Sequence, residues 1–241
     1  MSSVQAIHQE IQQALLEIAT PQRRESTLQF FKEPIQCYGV SNPDAKKIGS
    51  TFYQKVKHHD KTFIWEMAET LLASGWIEEG MIACQWVLKR QKEFVWEDRL
   101  IFERWIQLYV HNWAICDTFC NQSMGALLLK FPEATVMLYS WTTSENLWVR
   151  RAAAVSLIVP AKRGQFETLI FDICNLLLTD AEPMVQKGYG WLLKVYSQQQ
   201  LHKVFDYVMR YELVMPRTAF RYAIEKMPVA MKEKAMGRGN G

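Results

Sequence analysis

Four side chains, well separated in the sequence, have the chemistry to act together: Trp113, Asp117, Arg151 and Trp191. Trp113 and Asp117 are four residues apart, so on a helix they share a face. Arg151 lies in Leu147-Trp148-Val149-Arg150-Arg151-Ala152-Ala153, and Trp191 in Gln186-Lys187-Gly188-Tyr189-Gly190-Trp191-Leu192-Leu193-Lys194. Indole faces attract cations by about 0.5–2 kcal/mol. A carboxylate stabilises adjacent positive charge, and the planar guanidinium fork matches the oxygen pairs of a phosphate. One carboxylate, one guanidinium and two indoles can therefore hold a cation against a phosphate backbone, a combination that points to chemistry on DNA.

The elements that must position these groups read as helices. Ile7, Ile11, Leu15 and Ile18 repeat at helical spacing, as do Phe52, Val56, Phe63, Met67 and Leu71, with a break near His58-His59-Asp60. Helical patterns continue over 77–89, 95–110, 113–120, 134–141, 147–158, 166–178 and 184–196, separated by Ser74-Gly75, Phe131-Pro132, Val159-Pro160, Glu182-Pro183 and Met215-Pro216. No segment alternates as a strand does. Roughly a dozen helices of about 12–18 residues with short links suit stacked helix pairs. The expected fold is all-α, an α-α superhelix (solenoid) of HEAT-like repeats, with an irregular helical bundle as the alternative. Residues 1–236 are expected to form one domain and 237–241 a flexible tail. The curvature of such a solenoid would supply a concave basic groove wide enough for a duplex.

Composition sets outer bounds. The chain of 241 residues is 49% hydrophobic, ample for a large core. Residues 1–144 hold 14 Lys and Arg against 16 Asp and Glu, whereas 145–241 hold 14 against 9, so the basic excess accompanies Arg151 and Trp191. This is a modest footprint for a polyanion. No apolar run approaches a membrane span, and the N-terminus does not read as a secretory signal. Cys37, Cys84, Cys116, Cys120 and Cys174 are odd in number and form no Cys-x-x-Cys pair, which suits reduced thiols and a cytoplasmic protein.

At Asn112-Trp113-Ala114-Ile115-Cys116-Asp117 and at the Arg151 and Trp191 motifs, in that order, the chain resembles the AlkD family of bacterial DNA alkylation-repair glycosylases. The resemblance runs from about Phe30 to about Met227. It implies a HEAT-like superhelix, a monomer, and excision of cationic N3- and N7-alkylated purines such as 3-methyladenine and 7-methylguanine from double-stranded DNA. It also implies that no metal or organic cofactor is needed, that the lesion stays stacked, and that the protein works at the nucleoid. On that resemblance, Trp113, Asp117, Arg151 and Trp191 are expected at the catalytic positions. The chemistry is coherent: an alkylated purine already carries positive charge and leaves without protonation, so one carboxylate suffices to stabilise the oxocarbenium-like sugar and orient water. No lysine is placed by motif for a Schiff base, so strand-cleaving lyase activity is not expected.

Arg150, Lys187, Lys194, Arg217 and Arg221 are the expected DNA-binding residues. Lys187, Trp191 and Lys194 fall at i, i+4 and i+7, and Arg217 and Arg221 share a helical face. Arg150 adjoins Arg151, and the family register favours Arg151 as the phosphate contact. The sequence departs from the family pattern at Asn112 and Ala114, where members often carry a second aromatic and a second acid. Cys116, Cys120 and His111 are near one another but lack zinc spacing, and read as buried thiols rather than metal ligands. No phosphate-binding glycine loop or nucleophile elbow is present. A non-catalytic protein binding distorted or branched DNA, and a protein-binding helical scaffold, are the alternatives.

Overall fold

The computed structural model describes residues 3–237, which are all-α with short 3₁₀ and π segments. Among them there is no strand, only a single bridge between Gln36 and Trp76. The chain divides into two compact units, Met1–Phe119 and Cys120–Gly241.

The first unit comprises α1 (Ser3–Ile18), α2 (Pro21–Phe30), α3 (Asn42–Val56), α4 (Lys61–Ala73), α5 (Ile77–Lys89), α6 (Asp98–Tyr109) and α7 (Trp113–Thr118). Short polar side chains start several of these helices by accepting an otherwise orphaned backbone N–H. Thr20 accepts from Arg23, Ser41 from Asp44, and Asp60 from Phe63 at 2.9 Å. The His58-His59-Asp60 break is thus a turn that ends in a helix cap. Trp65, Phe94, Phe102, Trp105 and Phe119 form an aromatic core, with Phe119 set edge-on to Phe102 at 5.1 Å.

At the centre of this unit α5 packs against α3, α4 and α7. Its first turn buries two carboxylates, Glu78 and Glu79. Buried charge is tolerated only when hydrogen-bonded, and acids are favoured at the positive end of a helix. Glu78 accepts the backbone N–H groups of Tyr38, Gly39 and Val40 at 3.0–3.1 Å. Glu79 accepts from the Tyr38 hydroxyl at 2.6 Å and pairs with His8 Nε2 at 2.6 Å. Together they pin the loop between α2 and α3, and also α1, onto α5.

The second unit comprises α8 (Gly125–Lys130), α9 (Met137–Trp141), α10 (Leu147–Val155), α11 (Ile158–Lys162), α12 (Glu167–Leu176), α13 (Pro183–Tyr196), α14 (Leu201–Arg210), α15 (Arg217–Ile224) and α16 (Val229–Gly237). Here α13 is central and packs against α10, α11, α12 and α15. Two glycines set those distances. A Cβ on Gly190 would stand 2.8 Å from the Ala219 carbonyl oxygen and 2.8 Å from Tyr222 Cβ on α15. A Cβ on Gly188 would stand 3.2 Å from Arg151 Cγ on α10. Two residues apart is about 200° around a helix, so the glycines open opposite sides of α13.

Several boundaries differ from the sequence expectation. The helix expected over 147–158 divides at Ser156-Leu157, because Pro160 supplies no N–H and its ring would meet the carbonyl of Ser156. The helix expected over 113–120 leaves α geometry after Thr118, and a π segment occupies Phe119–Met124. The helix expected over 134–141 begins as a 3₁₀ turn at Pro132–Val136. Ile18 is exposed, although Ile11 and Leu15 are buried. Gly237, expected in the tail, ends α16, and residues 238–241 lie outside those described. No described helix is long and apolar enough to cross a membrane.

Two stability predictions follow from this packing. Alanine gains about 1 kcal/mol of helix propensity over glycine, but overpacking against backbone costs about 1–3 kcal/mol. Gly190→Ala is therefore expected to lower the urea unfolding midpoint, and an unchanged or higher midpoint would contradict the close approach of α13 and α15. At Glu79, burial pushes the carboxyl up, but hydrogen bonds from His8 and Tyr38 outweigh it and hold the carboxyl below its ordinary value of 4.5. The resulting stabilisation is complete above the unfolded-state value and is lost as pH falls through the lower folded-state value. Unfolding free energy measured below pH 4.5 should thus decline less steeply in Glu79→Gln than in the natural protein; equal slopes would show that Glu79 contributes nothing to the acid sensitivity.

Candidate nucleic-acid interface

Asn112 begins the helix that carries Trp113 and Asp117. Its extended backbone precedes α7, and its Oδ1 accepts the Ile115 N–H at 3.0 Å. Asn112, expected from the resemblance to stand where an aromatic is common, is thus a helix cap, a duty that neither an aromatic nor an aliphatic residue can perform. The Trp113 N–H, another orphan of the first turn, lies 3.4 Å from Glu33 Oε1. Trp113, Ala114, Asp117 and Thr118 are half-exposed, while Ile115 and Cys116 are buried against the core. The indole and the carboxylate therefore share one accessible face, one turn apart.

The Trp113 ring is held by two phenylalanines that the sequence reading did not single out. Phe31 stacks on it with centroids 5.0 Å apart and planes at 14°, and Phe30 meets it edge-on at 5.8 Å. Phe30 is 70% exposed. The available signal was the Phe30-Phe31 doublet at the end of a helix with no apolar face. These rings border a cleft of about 440 Å³ in the first unit.

Arg150 and Arg151 sit on α10, which is started by Asn146 Oδ1 accepting the Trp148 N–H at 2.9 Å. The two arginines have different duties. Arg150 donates to Asp180 at 2.6 and 3.3 Å and to the carbonyls of Ser144 and Glu145 at 2.8 and 3.1 Å. Four of the five guanidinium donors are therefore committed to one buried acid and one loop. Arg151 is 4% exposed. Its stem lies over Gly188, and its guanidinium donates to the Met184 carbonyl. Trp191, half-exposed, follows one turn after Gly188 on the same side of α13. The four residues thus fall into two pairs, Trp113 with Asp117 in the first unit and Arg151 with Trp191 in the second.

The remaining expected contacts divide in the same way. Lys187 is half-exposed. Lys194 is turned toward α15, where it pairs with Glu225 at 2.9 Å and lies 5.2 Å from the Tyr222 ring centre. That ion pair holds the Glu225 carboxyl below its ordinary range. Arg217 and Arg221 are exposed on α15, with the Arg217 guanidinium 5.0 Å from the Phe220 ring centre. Cys116 and Cys120 are buried and form no disulfide. Among the described residues no group of three or more His, Cys, Asp or Glu is placed to hold a metal.

Comparison with known proteins adds a family. The family described as DNA alkylation repair enzyme matches residues 11–227. Among solved structures, a predicted DNA alkylation repair enzyme from Enterococcus faecalis is similar over 88% of this chain and 97% of that chain, with a TM-score of 0.77 and 18% identity. At that identity the likeness is one of fold. No curated protein matches.

The Arg150 geometry yields a test. Its side chain is 17% exposed and that of Asp180 is 8% exposed. Removing one partner of a buried pair costs about 3–5 kcal/mol, and Arg150→Ala should lose roughly the lower figure in chemical unfolding. The dependence of DNA affinity on salt should not change. A slope reduced by about one phosphate contact, with stability intact, would instead place Arg150 on the DNA backbone.

Proposed function

We propose that this chain, which belongs to the DNA alkylation repair enzyme family and acts in the repair of alkylated DNA, is a monofunctional DNA glycosylase. Its substrates are cationic alkylated purines in duplex DNA, such as 3-methyladenine and 7-methylguanine. Hydrolysis of the N-glycosidic bond leaves an abasic site and a free base. The observation that carries this reading is the pairing of Trp113 and Asp117 on the accessible face of a capped helix.

The residues suit the reaction. The leaving purine bears its positive charge before the bond breaks, so the reaction needs no dedicated acid. Positive charge then develops on the sugar, and Asp117 is the anion that stabilises it and orients the attacking water. The faces of Trp113 and Trp191 favour the cationic nucleoside. Arg151 is the group for the adjacent phosphate, with its stem held in place by Gly188. Lys187, Arg217 and Arg221 add sequence-independent attraction for the backbone. Arg150 and Lys194 contribute chiefly through their ion pairs with Asp180 and Glu225.

Release of free base from methylated duplex DNA, followed by chromatography, tests the reading. The natural protein should release 3-methyladenine or 7-methylguanine, and Asp117→Asn should lower the single-turnover rate by about a hundredfold or more, as expected for removal of a leading electrostatic stabiliser. Release that survives Asp117→Asn unchanged would refute the mechanism. Tight, salt-sensitive DNA binding with no release by either protein would make the chain a non-catalytic DNA binder.

A further inference from the structure

We propose that the cleft beside Phe30, Phe31 and Trp113 is a stacking site for one unpaired nucleotide of a DNA strand, with Arg23, Ser26 and Thr27 facing its phosphate. The proposal needs DNA as the partner and does not depend on glycosidic hydrolysis.

Helix α2 supplies most of the site, and core packing does not explain it. None of its ten residues is buried. It is fastened at its first end, where the Thr20 N–H donates to the Gly39 carbonyl at 3.2 Å. Gly39 has φ +96, and a Cβ there would stand 2.6 Å from the Thr20 oxygen, so only glycine permits this approach. The other end is held by rings, with Phe30 5.9 Å from Phe31 and 5.8 Å from Trp113, both edge-on. A helix that buries nothing yet is fastened at both ends is a wall, and one face of this wall lines the cleft with Arg23, Ser26, Thr27 and Phe30. Those positions fall at i, i+3, i+4 and i+7.

The chemistry of that face matches one ligand class. Phe30 exposes 70% of its surface, a ring with room for a second planar group. Val40, Ile77 and Met81 give the cleft an apolar floor. Ser26 and Thr27 stand one turn before Phe30 and Arg23 two turns before it, about 10 Å along the axis. Aromatic faces combined with a guanidinium and hydroxyl donors are how proteins hold unpaired nucleotides, each stacked base contributing about 1–3 kcal/mol. Glu78 also lines the cleft, but its oxygens accept three loop N–H groups, so its charge is spent on the protein. In a perfect duplex the bases are stacked on one another, so the platform selects DNA with a base out of the stack.

The experiment is fluorescence anisotropy with a labelled perfect duplex and the same duplex carrying one unpaired thymidine. The natural protein should bind the bulged duplex more tightly. Phe30→Ala should weaken the bulged complex by about tenfold while leaving the perfect duplex unaffected, and Phe30→Tyr, which keeps the ring, should retain the preference. Because Phe30 also holds the end of α2, the urea unfolding midpoint of Phe30→Ala is measured alongside; an unchanged midpoint assigns the selective loss to stacking, and a lowered midpoint with equal weakening of both duplexes counts against the proposal. Asp117→Asn should keep the preference even where base release is lost, which separates this site from the catalytic reading. Equal affinity of the natural protein for both duplexes, or equal weakening of both by Phe30→Ala, would overturn the proposal.

Discussion

The close approach of three helices at Gly188 and Gly190 is the constraint on which the second unit depends. Two glycines in a helix interior cost about 1 kcal/mol each relative to alanine, and the return is contact. At Gly190 the backbone of α13 meets that of α15. At Gly188 the missing side chain is replaced by the stem of Arg151. An arginine that is almost fully buried thereby has a fixed path and a fixed acceptor at the Met184 carbonyl. The same two contacts orient the rest of α13. Trp191 remains half-exposed on the Arg151 side, and Lys194 reaches Glu225 on the other.

The first unit solves its positioning problem with buried charge. Glu78 gathers three consecutive backbone amides, and Glu79 gathers a tyrosine and a histidine. Neither carboxylate is available for chemistry, and both fix the loop from which α2 is suspended. The polar side chains proposed to act are instead held near helix starts. Asn112 and Asn146 cap the helices that carry Asp117 and Arg151, so each of these proposed groups lies within a turn or two of a defined origin. Satisfied polar groups thus do the positioning, while the large aromatic residues fill the interior.

Much of this was legible in the residues. Periodicity delimits α5 and the body of α13, and the histidine-rich break between α3 and α4 reads correctly as a turn. Trp113 and Asp117 share a face because four-residue spacing on a helix leaves no alternative. What was not legible depends on partners remote in sequence. Arg150 looks like surface charge until Asp180, thirty positions away, is placed against it. The roles of Gly188 and Gly190 require knowing what crosses each side of α13. Phe30 and Phe31 look like ordinary apolar residues until the rings are seen against Trp113. The α10–α11 break was readable from Pro160, whereas the π segment at Phe119–Met124 has no marker in residue type.

The proposed reaction rests on one chemical point: a purine that is already cationic leaves without an acid, with Asp117 as the proposed electrostatic stabiliser. The most direct test is the single-turnover rate of base release from duplex DNA containing 7-methylguanine, measured from about pH 5.5 to about pH 7, where the alkylated base keeps its positive charge. The rate should stay level across this range in the natural protein and be uniformly depressed in Asp117→Asn. A rate that falls tenfold for each rise of one pH unit in the natural protein would show that a protonated group is required, and would contradict the proposed reaction.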